Sequence, residues 1–205
     1  QYFEPEHAFL SILATLATKL APYEVIAAAW SRAGTRLSLR QWLHEEYILV
    51  LGNDETTRSA LDPLNRVLFR RLVELILNQP DSDTRRTWVF LDEVREAGEL
   101  DGLSRLLTKG RSKGMCVVLG FQDLEGMRAV YGDDEAMSLI NQCAQRAVLR
   151  VGSPETARWA GELLGEVEVE EIHVSWSDSG SGSSVSMSPY REKRAAFLTS
   201  EIMGL

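Results

Sequence analysis

The chain has 205 residues, of which 44% are hydrophobic and 25% charged, as in an ordinary globular protein with a sizeable core. Its net charge of −8 has the wrong sign for a surface that coats nucleic acid, so contact with a polyanion requires a local basic patch. Cys116 and Cys143 and three scattered histidines lack metal-ligand spacing, which argues against a zinc site and predicts buried free thiols in a reducing compartment.

Apolar residues recur at helical spacing over Glu6–Ala33 and predict two helices, of which the second begins at Pro22. Ser38 is a suitable N-cap for a short helix that runs through Leu43. The sequence begins at Gln1 rather than at Met, and we therefore expect a fragment of a longer protein.

Four short apolar runs, separated by helical patterns, predict the strands of a mainly parallel sheet. They are Tyr47–Leu51, Trp88–Leu91, Met115–Phe121 and Arg146–Val151. Helices are predicted at about Thr57–Asn78, Leu100–Lys109, Leu124–Tyr131, Asp134–Cys143 and Ser153–Leu164. This alternation predicts an α/β sandwich in which the last three strands share one sheet. Arg146 and Arg150 flank the fourth strand, and the pattern leaves both structural and functional roles open for them.

The pattern changes after Gly165, where apolar residues alternate over Val167–Trp176 with one slip near Glu170. A Ser/Gly tract, Ser177–Ser184, follows. Together these features predict a two-stranded hairpin with a mobile tip. Residues Thr199–Leu205 are typical of a short turn of helix.

Two adjacent carboxylates, Asp92 and Glu93, directly follow the apolar strand that ends at Leu91. Ionised carboxylates are rarely buried unpaired, so we expect the pair at the carboxyl end of the strand, where open α/β sheets bind ligands. This is the form of a Walker B strand, in which the Asp holds Mg²⁺ and the Glu orients the water that attacks a γ-phosphate. Apolar runs that end in Asp-Glu are common, and a buried strand entering an acidic loop is the alternative interpretation.

A basic cluster, Arg105, Lys109, Arg111 and Lys113, follows between two acidic stretches. It is either a solvated helix face that ends in cations or a source of a side chain that reaches a phosphate, in this subunit or the next. The glycines of Gly110–Gly114 predict that Arg111 lies in an exposed, mobile loop.

Gln122 lies at the predicted carboxyl end of the third strand. It either caps a loop or serves as a sensor amide that hydrogen-bonds a γ-phosphate or the attacking water. We expect Gln122 and Glu93 at the same edge of the sheet, because parallel strands end at a common edge.

From Trp88 to Glu168 the chain resembles the C-terminal half of the motor domain of type IV secretion coupling proteins of the VirD4/TraD type, in the FtsK/HerA superfamily of ATPases. The matching features are Leu91-Asp92-Glu93, Gly110-Arg111 with Gly114, Gln122, Tyr131-Gly132, Asn141, Arg146 and Ser153-Pro154. The match continues through Leu39–Trp42 and Tyr47 upstream, and through Glu192–Arg194 and Ser200–Ile202 downstream. The order and spacing of these motifs together are specific.

The resemblance implies a partial P-loop (RecA-like) three-layer sandwich. It places the end of a helical all-α domain at residues 1–36, the C-terminal half of the nucleotide-binding domain at 37–165, and a β-hairpin with a C-terminal extension at 166–205. It implies that Asp92 and Glu93 are the Walker B pair, with Asp92 as the Mg²⁺ ligand. It also implies that Gln122 is the sensor glutamine, binding ATP together with Asp92, and that Arg111 is the arginine finger. Asp123 departs from the small hydroxyl residue often found after that glutamine, which leaves the loop geometry open.

The function implied is part of a homo-hexameric ATPase at the cytoplasmic face of the bacterial inner membrane, with ATP and Mg²⁺ as cofactors. Its expected partners are single- or double-stranded DNA, a relaxase or other secreted protein, and components of the type IV secretion channel. Nothing in the sequence fits the Walker A pattern G-x-x-x-x-G-K-[ST], so we expect no hydrolysis by this chain alone. A non-catalytic adaptor that docks secretion substrates and an FtsK/HerA-like DNA translocase outside secretion are the alternatives.

Overall fold

The structure is a computed structural model that describes residues 5–52, 54–179 and 182–205. The chain divides into two compact units, of which the first ends at Gly120 and the second begins at Phe121. Both cysteines are free and half-buried, which is less burial than the sequence predicts. Burial raises the pKa of the Cys143 thiol.

Five helices of the first unit are α1 (Pro5–Leu20), α2 (Glu24–Arg32), α3 (Leu39–Trp42), α4 (Arg58–Leu77) and α5 (Leu103–Lys109). The predicted leading helical pair is confirmed, with Pro22 in a short 3₁₀ turn between its members. Ser38 caps α3 as predicted, because its hydroxyl accepts a hydrogen bond from Gln41 N–H at 3.4 Å. No single helix in the described ranges is long and apolar enough to cross a membrane, whereas α1 and α2, bent by 55° at their break, reach that length and composition as a pair.

The sheet of the first unit consists of β1 (Thr87–Leu91) and β2 (Met115–Leu119), which pair in parallel with Leu91 opposite Leu119. This confirms the predicted parallel pairing of these two runs. The core of the unit is built by apolar side chains from α4, α5, β2 and the segments beside them. They are Ala60, Phe69, Val73, Ile76, Val94, Leu100, Leu103, Leu106 and Met115.

Alternate residues of β1 leave large aromatic side chains in solvent. Trp88 is 56% exposed and Phe90 68% exposed, and their rings stack with centroids 5.8 Å apart. Val118 of β2 is opposite Phe90 in the register and is also exposed. Large apolar side chains grouped in this way commonly mark a surface that another element covers.

The prediction of a strand at Tyr47–Leu51 is wrong, because this segment forms no strand in the structure. Its alternation is real, since Ile48 is 93% exposed and Val50 78% exposed while Leu49 is half-buried. A strand needs a hydrogen-bonded neighbour, and this segment pairs with none of the described strands.

The second unit contains α6 (Leu124–Tyr131), α7 (Asp133–Gln142), α8 (Pro154–Leu164) and α9 (Thr199–Gly204), which confirms the predicted helices. Ser153 caps α8 as its sequence pattern predicts, accepting the Thr156 N–H at 3.2 Å. The buried apolar side chains of this unit are Leu124, Met127, Ala136, Leu139, Ile140, Ala157, Ala160 and Ile202.

The prediction that Arg146–Val151 forms a strand in the sheet is also wrong, because these residues are in no described strand. The apolar pattern that suggested a strand is instead used in packing. Val148 and Val151 pack against the small cluster of Ala157, Ala160 and Ile202. The segment therefore partly buries these two valines, leaves Leu149 77% exposed, and joins no described strand with its backbone.

The hairpin predicted after Gly165 is confirmed as β3 (Glu166–Ser179) and β4 (Gly182–Ala195), paired antiparallel with Val174 opposite Met187. The pairing is continuous through Glu170, so the slip in the sequence marks a change of face. Val167 and Val169 lie on one face, and Ile172, Val174 and Trp176 lie on the other. The predicted mobile tip falls on residues 180–181, which lie outside the described residues.

Candidate functional site

Asp92 and Glu93 directly follow β1, at the carboxyl end of the parallel pair. Both residues are exposed. The Glu93 N–H donates a hydrogen bond to Asp92 Oδ1 at 3.1 Å, which orients that carboxylate against the backbone. The pair lies at the strand end where the sequence placed it, and its catalytic role remains a prediction.

The backbone at Glu93 is left-handed, with a φ of 47°, and Glu93 is the one non-glycine residue with positive φ in the described ranges. This conformation costs an L-residue about 1–2 kcal/mol, so the surroundings must enforce it. Two backbone hydrogen bonds do so: Val94 N–H donates to Gly120 O at 2.9 Å, and Gly120 N–H donates to Leu91 O at 2.8 Å. Because Val94 is fully buried, the turn that aims Glu93 is anchored in the core.

Gly120 gives the Asp92 carboxylate its space. A Cβ atom at position 120 would lie 3.0 Å from Asp92 Oδ1, which is closer than ordinary van der Waals contact. At nucleotide sites Mg²⁺ is held by one or two carboxylates together with water and phosphate oxygens. The exposed carboxylate of Asp92, beside a residue without a side chain, fits that role.

The loop after Glu93 is tied to α4 by two arginines that the sequence analysis did not single out. Arg58 Nη2 donates to Glu96 Oε2 at 2.5 Å and to Glu96 O at 3.2 Å, and Arg66 Nε donates to Ala97 O at 3.1 Å. The Arg58 guanidinium lowers the pKa of the Glu96 carboxyl. These contacts join residues far apart in sequence, so no local pattern could reveal them.

Arg111 begins a 3₁₀ turn, Arg111–Lys113, and is exposed as predicted. The turn is held in place on both sides. Ser82 N–H donates to Ser112 O at 2.8 Å, and the Asp81 carboxylate accepts hydrogen bonds from Lys113 Nζ at 2.7 Å and from Ser112 Oγ at 3.0 Å. Lys113 and then Ser112 lower the pKa of Asp81. Arg111 is therefore presented from a hydrogen-bonded turn, and the predicted mobility of this segment stays a prediction.

Gln122 is exposed and follows β2 in the chain, in the second unit. Asp123 caps α6, because its carboxylate accepts the Gly126 N–H at 2.5 Å. A Ser or Thr at this position would make the same kind of cap. The acidic residue thus preserves the helix entry, although it departs from the hydroxyl residue of the family pattern.

A buried hydroxyl joins the start of α6 to the start of α8. Thr156 Oγ1 accepts the Leu124 N–H at 2.9 Å and donates to Glu125 Oε2 at 2.8 Å. The Ser153 hydroxyl donates to the other oxygen of the same Glu125 carboxylate. The hydrogen bond from Ser153 is the largest cause that lowers the pKa of Glu125, and the hydrogen bond from Thr156 also lowers it.

Arg128 adds a second link in this unit. Its Nη1 pairs with Glu155 Oε1 at the start of α8. Its Nε lies 3.0 Å from Asp133 Oδ1 without the alignment of a hydrogen bond, so this contact is purely an ion pair. The N-cap spacing of Ser153-Pro154 was visible in the sequence, but its links to α6 were not.

Arg146 is exposed and is hydrogen-bonded within the second unit. Its guanidinium donates to Asn141 Oδ1 at 3.1 Å and to Cys143 O at 3.3 Å, so it satisfies groups at the end of α7. Asn141 and Arg146, which both belong to the family pattern, are therefore partners in one contact. Arg150 is exposed.

The family model described as the type IV secretion-system coupling protein DNA-binding domain matches residues 3–205. The chain belongs to this family. The conjugal transfer protein TraG of Agrobacterium fabrum is 30% identical over 156 residues, which are 76% of this chain and 24% of that protein. The probable conjugal transfer protein TraG of Sinorhizobium fredii is 28% identical over 141 residues, 68% of this chain and 22% of its own length. The chain therefore spans about a quarter of the curated relatives that it matches.

Solved structures of the coupling protein TrwB are similar in fold. The complex of plasmid coupling protein TrwB with ADP and Mg²⁺ matches with a TM-score of 0.66 and 28% identity, covering 82% of this chain and 38% of TrwB. The unbound monoclinic form of TrwBΔN70 matches with a TM-score of 0.65 and 27% identity over the same shares. These matches confirm the predicted fold class, a partial RecA-like α/β domain with flanking helices and a hairpin.

Proposed function

We propose that this chain is part of a hexameric ATPase that couples ATP hydrolysis to the transfer of DNA, or of DNA–protein complexes, into a type IV secretion channel. One observation carries the proposal: an exposed Asp92-Glu93 pair ends a parallel strand in a chain of the coupling protein family. An acidic pair at this place in an α/β sheet is suited to a metal-bound nucleotide.

In this proposal Asp92, Glu93, Gln122 and Arg111 each have a separate role in phosphoryl transfer to water. When bound, Mg·ATP supplies the phosphoryl group and a cation that neutralises charge on the phosphates. Asp92 holds the metal ion through its carboxylate, and Glu93 orients the attacking water and takes its proton. Gln122 donates its amide hydrogen bond to the γ-phosphate. Arg111, exposed on its hydrogen-bonded turn, stabilises charge at the site of the neighbouring subunit.

We propose that the chain supplies only part of the nucleotide site. It lacks a Walker A pattern, it spans about a quarter of its TraG relatives, and Trp88 and Phe90 are exposed on one face of its two-stranded sheet. A preceding segment with the phosphate-binding loop would cover that face and complete the site. In this proposal, residues 1–36 end an all-α domain, 37–165 form the rest of the nucleotide-binding domain, and 166–205 form an extension.

The proposed partners follow from the same family. DNA is supported by the description of the matched domain, and TrwB is a plasmid coupling protein solved with ADP and Mg²⁺. We propose further that a relaxase or another secreted protein accompanies the DNA, and that the protein works at the cytoplasmic face of the bacterial inner membrane against the secretion channel.

The test is a conjugation assay with the full-length protein, in which Asp92→Asn is compared with Thr18→Val, a change at an exposed position of α1. Asp92→Asn keeps the shape of the side chain but removes the charge that holds the metal ion. Both ATP hydrolysis and DNA transfer should be lost in Asp92→Asn and kept in Thr18→Val. Normal transfer by Asp92→Asn would instead support a non-catalytic adaptor. If DNA stimulates ATP hydrolysis by the unchanged protein, and Asp92→Asn abolishes this hydrolysis without lowering conjugation, the result would support a DNA translocase outside secretion.

A further inference from the structure

The segment that carries Gln122 is attached to α8 on both sides of that residue. Before it, the ring of Phe121 packs against Trp159, with centroids 6.4 Å apart and ring planes at 52°. After it, the Leu124 N–H donates to Thr156 Oγ1 at 2.9 Å. Thr156 and Trp159 are three positions apart in α8 and therefore lie on the same side of that helix. One helix face thus holds both ends of the short segment at Gln122.

The anchor at Thr156 is built more firmly than a surface contact. Thr156 is only 3% exposed, and Leu124 is also buried. A side-chain hydroxyl has one proton to donate, and Thr156 directs it to Glu125 Oε2 at 2.8 Å. The oxygen lone pairs are thereby left for the Leu124 N–H, so the two hydrogen bonds support each other. The Ser153 hydroxyl donates a hydrogen bond to the other oxygen of the same Glu125 carboxylate.

The N–H groups of the first helical turn have no partner inside the helix, so each needs one from outside. In α6 the Asp123 carboxylate takes the Gly126 N–H, and Thr156 takes the Leu124 N–H. The direction in which α6 begins is therefore fixed from within by Asp123 and from α8 by Thr156. Gln122 is the residue immediately before this fixed entry.

We infer that Thr156 is a positioning residue for Gln122: its buried hydroxyl, oriented by Glu125, sets the backbone from which the Gln122 amide is aimed. The positioning of Gln122 by Thr156 does not depend on the proposed function. The further consequence, that the positioned amide contacts a γ-phosphate, rests on the proposed function. A hydrogen-bonding amide acts on a phosphate only within a narrow range of positions, so a small displacement of its backbone is costly to turnover.

The first measurement reads the position of Gln122 directly. In the 205-residue chain, the side-chain NH₂ signals of Gln122 are followed by ¹H–¹⁵N NMR in Thr156→Val and Thr156→Ser. Valine keeps the shape of threonine but has no hydroxyl, whereas serine keeps the hydroxyl. The Gln122 signals should shift or broaden in Thr156→Val and stay in place in Thr156→Ser. The Leu124 amide should exchange with solvent faster in the valine variant alone. Unchanged Gln122 signals in a folded Thr156→Val chain would overturn the inference.

The second measurement uses ATP turnover by the full-length protein and separates the inference from the proposed function. Thr156→Val should lower kcat on the order of 10²-fold, as expected when a reacting group is displaced, while KM for ATP is unchanged. Thr156→Ser should restore kcat. Adding Thr156→Val to Gln122→Ala should lower kcat no further, because both act through one amide. Full additivity would overturn the inference. If Gln122→Ala leaves kcat unchanged while the NMR signals move as expected, the sensor role in the proposed function fails and the positioning holds.

Discussion

The Asp92 carboxylate lies so close to Gly120 that a Cβ at position 120 would be 3.0 Å from Asp92 Oδ1. Gly120 is therefore the neighbour that decides how much room the carboxylate has. No positive φ requires glycine at this position, so alanine can adopt the backbone and its effect is confined to the Asp92 side chain.

Gly120→Ala in the full-length protein should weaken use of Mg²⁺ by displacing this carboxylate. The concentration of Mg²⁺ that supports half-maximal ATP hydrolysis should rise by about 10–100-fold, the usual effect of disturbing a group that orients a metal ligand. The matched control is Gly34→Ala, because a Cβ there meets nothing within 4 Å. An unaltered Mg²⁺ requirement in Gly120→Ala would mean that Asp92 does not hold the metal.

The isolated chain should bind Mg·ATP weakly or not at all, since its sequence contains no phosphate-cradling loop of the Walker A form. Calorimetric titration of the chain with Mg·ATP tests this expectation. Sub-micromolar binding would reveal a nucleotide site in the chain that is independent of Walker A.

Glu93→Gln should abolish ATP hydrolysis in the full-length protein and leave nucleotide binding intact. The amide keeps the size and hydrogen-bonding capacity of the side chain but cannot accept a proton from the attacking water. Hydrolysis and binding of a fluorescent ATP analogue should be measured on the same preparation. If both are lost together, Glu93 serves the metal or the fold instead.

Arg111→Ala should change the stability of the isolated chain by no more than about 0.5 kcal/mol, the range of ordinary surface substitutions. In the assembled full-length protein it should lower turnover on the order of 10³-fold, because a finger contributes mainly in the transition state. Arg111→Lys keeps the charge but not the planar fork, and should recover only part of the rate.

Mixed hexamers show whether Arg111 acts on the neighbouring subunit. Arg111→Ala subunits are combined with subunits that lack a working Walker A lysine. Some boundaries then join an intact nucleotide site to an intact Arg111, and activity should return. If subunit exchange is verified and activity stays near zero, Arg111 acts within its own subunit.

The Glu125 network should make the second unit sensitive to acid. The hydrogen bonds that the Glu125 carboxylate accepts, above all the one from Ser153, hold its pKa below the ordinary value of 4.5. A carboxyl whose pKa is lower in the folded state stabilises the fold fully above about pH 4.5, and this contribution disappears as the pH falls through the folded pKa. Glu125→Gln should therefore flatten the fall in thermal midpoint below pH 4.5. Equal acid dependence in Glu125→Gln and the unchanged chain would contradict this.

Local patterns in the sequence located the helices and caps well, because helical periodicity and cap residues act over a few positions. Ser38 and Ser153 cap the helices that they were predicted to begin. The strand predictions at 47–51 and 146–151 were wrong because a strand depends on a hydrogen-bonded partner elsewhere in the chain. Apolar residues in such a pattern can also serve side-chain packing alone, as Val148 and Val151 show.

The site was predicted only where its residues belong to a local motif. Asp92 and Glu93 directly follow a strand, and this alone singled them out. Thr156 reaches Leu124 across a separation of 32 positions, and Arg58 reaches Glu96 across 38. Nothing in the composition near Thr156 distinguishes it from any other threonine in the first turn of a helix. Such supporting contacts depend on how elements pack, which a single sequence does not record.

The left-handed backbone at Glu93 lowers the stability of the fold, whereas the proposed chemistry requires the carboxylate at that position. Glycine and asparagine adopt this conformation readily, whereas glutamate does so at a cost of about 1–2 kcal/mol. Selection of variants for heat resistance alone should therefore favour Gly or Asn at position 93, and each would remove the carboxylate. Engineering this protein for thermostability would thus tend to discard the residue assigned here to ATP hydrolysis, unless turnover is selected at the same time.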